Sequence, residues 1–145
     1  MAENSRHPFQ ESEAIFEEEI PSRLKERDAL MEKALERLAA LGCEPDPFFD
    51  KLALDELISN AILHGNKEDP AKKVTVRVFR AEGRFGFEVV DEGPGFDWKR
   101  LLARLREPLD QSKDSGRGLA LVLASGADLC FLDGGRRVVM VRRKG

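Results

Sequence analysis

Leu54-Asp55-Glu56-Leu57-Ile58-Ser59-Asn60-Ala61-Ile62-Leu63-His64-Gly65 is apolar enough for a core helix, yet it carries a carboxylate, Glu56, and a carboxamide, Asn60, four residues apart. At roughly 100° per residue these two side chains sit one above the other on one helix face. The same count places Leu52 and Leu63 on one flank of the pair and Ala53 and Leu57 on the other, with Lys51, Asp55 and Ser59 in a separate outward row. A carboxylate bordered by apolar positions is costly to desolvate alone, so Glu56 needs a partner or a chemical task. From this helix by itself, bracing a neighbouring loop and serving a site are equally good readings.

Working outward, Pro21-Ser22 starts an earlier helix with apolar residues at Leu24, Met31, Leu35, Leu38 and Leu41, which Gly42 stops. Asp46 suits the N-cap of the Glu56 helix and Pro47 its first turn. Upstream, residues 1–13 read as a mobile leader, and Ala14 to Ile20 as an edge strand marked by Glu17-Glu18-Glu19. From Val74 the period changes to two: Val74, Val76 and Val78, then Phe85, Phe87 and Val89 after Ala81-Glu82-Gly83-Arg84, an antiparallel hairpin. That hairpin runs into the loop Asp91-Glu92-Gly93-Pro94-Gly95-Phe96. A short helix spans Asp97 to Arg106, and Glu107 to Arg117 buries so little that it should be mobile. Gly118 to Ala124 reads as a buried helix. The runs Leu129–Leu132 and Val138–Val141, joined by Asp133-Gly134-Gly135, form a second hairpin.

The 145 residues fit one domain, 14–145 behind the leader, and 41% hydrophobic with 35% charged residues belongs to a water-exposed globular surface. No run approaches the roughly 20 apolar residues of a membrane span and no signal-peptide core is present, so no membrane contact and a cytoplasmic location are expected. A net charge of −3 gives no general attraction to nucleic acid. The cluster Arg136, Arg137, Arg142, Arg143 and Lys144 reads as solvated strand-end decoration. Cys43 and Cys130 fit no metal-ligand spacing and are expected as reduced thiols.

Three features share an order: a helix with Glu56 and Asn60, a strand-end loop Asp91-x-Gly93-x-Gly95, and Gly116-Arg117-Gly118 opening a helix. Glycines admit close backbone approach, and a helix N-terminus offers unpaired donors and a positive dipole end to an anion. Gly116 and Gly118 stand where a phosphate can be held. Asp91 is an acceptor suited to the exocyclic amine of a base. Asn60 offers a neutral oxygen to a hydrated Mg²⁺ that takes its other ligands from water and phosphate. Glu56 can take a proton from a hydroxyl or water attacking a terminal phosphate.

Asn60-Ala61-Ile62-Leu63-His64-Gly65 after Glu56, then Asp91-Glu92-Gly93-Pro94-Gly95, then Gly116-Arg117-Gly118-Leu119 resemble the asparagine box and the two glycine boxes of the GHKL ATPase superfamily. Within it the chain is most similar to the bacterial anti-sigma factor serine kinases, over roughly residues 14 to 145. The resemblance implies the Bergerat fold: a two-layer α/β sandwich whose mixed, mostly antiparallel sheet is covered on one face by helices, with ATP under a flexible lid. Carried over by position, Asn60 would coordinate Mg²⁺, Asp91 would bind the adenine amine, and Gly93 and Gly95 would shape the base pocket. Gly116 and Gly118, with Arg117 beside them, would meet the phosphates, and Glu56 would be the catalytic base. His64 is expected to pack at the helix end, off the Glu56/Asn60 stripe.

Two departures matter. Many relatives place a threonine beside the adenine on the last strand, where Val138-Val139-Met140-Val141 has no hydroxyl. No phosphoacceptor His-Glu helix precedes the domain, which argues against a histidine kinase. The reading that follows is an ATP-dependent protein serine kinase that sequesters a sigma factor and phosphorylates a serine of a small antagonist protein, with homodimerisation also implied. Its rival is a non-catalytic, nucleotide-responsive sequestering module, and a stand-alone ATPase ranks third. Sigma-factor control rests on likeness alone.

Overall fold

The computed structural model describes residues 6–43, 46–107 and 117–143. Five strands, β1 (Ala14–Pro21), β2 (Lys73–Ala81), β3 (Arg84–Val90), β4 (Asp128–Leu132) and β5 (Arg137–Arg143), form one sheet in the order β1-β2-β3-β5-β4. Every neighbouring pair is antiparallel, so the sheet is wholly antiparallel where a mixed one was expected. Among the described residues four helices, α1 (Arg27–Ala40), α2 (Phe49–Asn60), α3 (Trp98–Leu105) and α4 (Arg117–Ala124), complete the two-layer α/β architecture. None of the described helices is long and apolar enough to cross a membrane.

The alternation of β2 and β3 decides which face the helices cover. Val74, Val76 and Val78 on β2 and Phe85, Phe87 and Val89 on β3 point inward with Met140 and Leu129, and all are buried. They meet Leu30, Met31, Ala34 and Leu38 of α1 and Ala53, Leu54, Leu57 and Ile58 of α2 in one continuous core. The outward row of α2 is not idle: Arg27 of α1 reaches Asp55 at 3.0 Å, and its Nη1 donates to Ser59 Oγ at 2.8 Å.

Helix α2 starts and stops for visible reasons. The Asp46 carboxylate accepts from the backbone N–H groups of Phe48 and Phe49, as expected of a cap, although the regular helix begins only at Phe49. Beyond Asn60 the chain widens into a single π-turn, Ala61–Gly65, closed by Asn66 N–H donating to Ala61 O at 2.8 Å. Such turns recur at functional sites because they re-aim the residues around them.

The sheet's other face departs from expectation. Residues 6–13, read as a mobile leader, lie against it, with Phe9 only 5% exposed. Their polar composition hid a single aromatic anchor. The basic strand ends are not mere decoration either: Arg137 Nη1 donates to the fully buried Glu88 at 2.9 Å, and Arg142 Nε donates to the fully buried Asp50 at 2.6 Å. Cys43 and Cys130 are free and buried.

Candidate functional site

Glu56, Asn60, Asp91 and Gly95 line one cleft of about 380 Å³. Helix α2 supplies the first two from one face, as the four-residue spacing predicts. Asp91 comes from the end of β3, where its N–H donates to Arg136 O at 2.9 Å. Val89, Phe131 and Val138 make an apolar wall, Phe96 a rim, and Arg100 and Arg104 of α3 add positive charge at the mouth.

The glycines mark where backbone must come close. A Cβ on Gly65 would stand 2.4 Å from the Asp91 carboxyl carbon, so Asp91 lies directly against the end of the π-turn. A Cβ on Gly93 would stand 2.0 Å from Gly65 O, and Gly93 N–H donates to Asp91 Oδ1 at 2.8 Å. Gly93 thus braces Asp91 from behind and does not itself line the cleft. Gly95 has φ +85° and is pressed against Gly134, whose carbonyl accepts from Phe96 N–H at 2.9 Å.

Gly118 meets Glu56. A Cβ on Gly118 would stand 2.3 Å from Glu56 Oε1, which brings the start of α4 onto the carboxylate of α2. Arg117 is the first residue of α4; its side chain, Gly116 and most of the expected lid, 108–116, lie outside the described residues. Gly118→Ala is therefore expected to push the Glu56 carboxylate from its position. Any reaction that uses this carboxylate should slow at least roughly tenfold, since a misplacement of about 1 Å costs up to a hundredfold, while the melting temperature changes by only a few degrees.

Burial pushes the Glu56 carboxyl above its ordinary value, and the neighbouring Asp55 charge adds to the rise. Burial also raises Asp91, against the opposing hydrogen bond from Gly93. Two half-buried acids with raised pKa values in one cleft are the signature expected of a working site.

Some contributors escaped the sequence. Asn66, 1% exposed, donates through Nδ2 to Ser22 Oγ and Lys73 O and accepts from Glu92 N–H at 2.8 Å, tying the π-turn, β2 and the Asp91 loop together. Its place after His64-Gly65 was the available signal. Gly134-Gly135 read only as a hairpin turn, yet Gly135 lines the cleft and leaves room for the Phe96 ring. His64, expected to pack at the helix end, is instead exposed and lines the same cleft as Glu56 and Asn60.

Comparison with known proteins agrees with this geometry. A family model described as histidine kinase-like ATPase domain matches residues 20–142. Among curated proteins the chain is 34% identical over 77 residues to serine-protein kinase RsbW of Bacillus subtilis (strain 168), covering 50% of the chain and 48% of the relative. It is 31% identical over 96 residues to the anti-sigma F factor of Clostridium botulinum (strain Eklund 17B / Type B), covering 59% and 64%. A third relative, sensor protein LytS of Oceanobacillus iheyensis, is 30% identical over 69 residues, covering 47% of the chain and 12% of the relative. The matches thus span less than two thirds of each of these relatives. With the family model covering most of the chain, and with Glu56, Asn60, Asp91 and Gly95 lining one cleft beside a helix-covered antiparallel sheet, the chain belongs to the histidine kinase-like ATPase domain family.

Proposed function

We propose that this chain is an ATP-dependent protein serine kinase of the anti-sigma factor type. It would sequester a sigma factor and phosphorylate a serine of a small antagonist protein in the cytoplasm. The observation that carries the reading is the placement of the Glu56 carboxylate against Gly118, on the cleft that also holds Asn60 and Asp91.

Each residue has a separate task. Asp91, braced by Gly93 and Gly65, accepts a hydrogen bond from the exocyclic amine of adenine, while Val89, Phe131 and Val138 take the ring's apolar surface. The start of α4 at Arg117 and Gly118 would offer backbone N–H groups to the phosphates. Asn60 is the residue that would hold Mg²⁺. A single carboxamide suits an ion that relies on phosphates and water, and among the described residues no cluster of three acidic, histidine or cysteine side chains offers a full protein cage. When bound, the ion would supply charge neutralisation to the phosphate oxygens. Glu56 accepts the serine hydroxyl proton as that oxygen bonds to the γ-phosphorus and ADP leaves. Its raised pKa makes it a better proton acceptor than an exposed glutamate.

Incubating the protein with Mg-ATP and an antagonist protein captured from the host should yield phosphoserine on the antagonist. Calorimetry should show saturable ADP binding. ADP binding with no transfer to any captured partner would favour a sequestering module, the reading supported by the lack of a hydroxyl from Val138 to Val141 on the last strand. Absent nucleotide binding would exclude both.

A further inference from the structure

On the sheet face away from the helices, residues 7–9 lie in a fitted socket. Gly86, in the middle of β3, has no side chain, and a Cβ there would stand 2.7 Å from the Phe9 ring. The ring fills that notch, stacks on Phe79 at 5.1 Å between centroids, and receives the Arg84 guanidinium 4.4 Å over its face. Phe9, Phe79, Cys130 and Val139 form a small buried cluster separate from the main core. Two residues earlier, His7 works from both ring nitrogens. Nδ1 accepts from Phe9 N–H at 3.0 Å, so Nε2 carries the proton and donates to Glu88 Oε2 at 2.7 Å. Glu88 is held from below by Arg77 and Arg137.

The socket also touches the cleft side. Arg137, which shares Glu88 Oε2 with His7, donates through Nε to Asp133 Oδ2 at 3.1 Å. Asp133 has φ +51°, an uncommon conformation for a residue other than glycine, and it opens the turn whose Gly134 carbonyl fixes Phe96 and Gly95. A chain of polar contacts therefore runs from His7 through Glu88 and Arg137 to Asp133, at the turn against which the Gly95 loop of the cleft is held.

We propose that this face is a peptide-recognition site, specific for a segment presenting an imidazole and, two residues on, a phenyl ring. It is filled in cis by His7 and Phe9 and linked to the nucleotide cleft through Glu88, Arg137 and Asp133. The recognition stands on the socket alone; the linkage rests on the nucleotide reading above. By reciprocity, a nucleotide that orders the Gly95 loop tightens the segment, and loss of the segment weakens nucleotide binding.

Cys130 gives an internal probe, because it belongs to the same small buried cluster as Phe9 while Cys43 lies in the main core. In the full chain, Phe9→Ala is expected to raise iodoacetamide labelling of Cys130 at least roughly tenfold, with Cys43 unchanged. An excess of synthetic peptide copying residues 6–13 should restore protection, and the same peptide with alanine for its phenylalanine should not. If Phe9→Ala does not fold, His7→Ala gives the same readout. Labelling that stays slow in the folded variant, or that the peptide fails to slow, overturns the recognition site. In the unmodified protein ADP should slow Cys130 labelling. ADP that binds by calorimetry without slowing it overturns the linkage; ADP that does not bind overturns the nucleotide reading and the linkage with it, while the peptide result is unaffected.

Discussion

Glu56→Gln is expected to lower serine phosphorylation by roughly a hundred- to ten-thousandfold, the usual contribution of a positioned general base, while ADP affinity stays within a few fold. The substitution keeps the shape of the side chain against Gly118 and removes only its capacity to take a proton. Rapid-quench phosphorylation and calorimetry on the same preparations separate the two effects. The pH profile carries an independent sign. Burial raises the Glu56 carboxyl in the folded protein, so the ionised, proton-accepting form is lost as pH falls through a value above the ordinary glutamate range. The acidic limb of the wild-type rate should lie correspondingly high and be absent from the residual rate of Glu56→Gln. Phosphorylation undiminished in the variant would remove Glu56 from the reaction.

Glu88→Gln should cost about 3 kcal/mol of stability, because removing one partner of a buried ionic cluster leaves the others uncompensated, and Tm should fall by roughly 10 °C in a chain of this size. Glu88 is 0% exposed, whereas Arg77 and Arg137 are 31% and 29% exposed, so the carboxylate is the deeply buried member and water relieves part of the arginines' loss. Burial alone would raise the Glu88 carboxyl, but hydrogen bonds from Arg137 and Arg77 and the Arg137 charge, helped by His7, hold it below the ordinary value. Its folded pKa lies under its unfolded one, so its contribution is complete above the unfolded carboxylate range and is lost as pH falls through the folded value. The gap in Tm between wild type and variant should therefore be widest near neutrality and close in acid. A gap that persists unchanged in acid would assign the loss to packing and not to charge.

Much of this was legible in the sequence for local reasons. The alternation Val74-x-Val76-x-Val78 forces one face of β2 inward, and the four-residue step from Glu56 to Asn60 forces both onto one side of α2. The glycine loops betrayed themselves by their order along the chain. What stayed hidden depends on distant contacts. Asp50 and Arg142 are 92 residues apart and look like surface charges until the end of β5 meets the start of α2. Phe9 sits among polar residues with no period, and only the missing side chain at Gly86 reveals what it packs into. The π-turn follows no residue pattern; the Asp91 carboxylate against Gly65 occupies the space a side chain would need there.

That last packing bears on how the cleft could be targeted by an inhibitor. Around Asp91 the walls nearest the carboxylate are main chain, at Gly65 and Gly93, where any added side chain collides with atoms 2.0 to 2.4 Å away. A compound anchored on Asp91 and on that bare backbone would contact little that a point mutation can alter without also deforming the nucleotide pocket. Resistance would have to arise farther out, at the Phe96 rim or along α3, where side chains are free to vary.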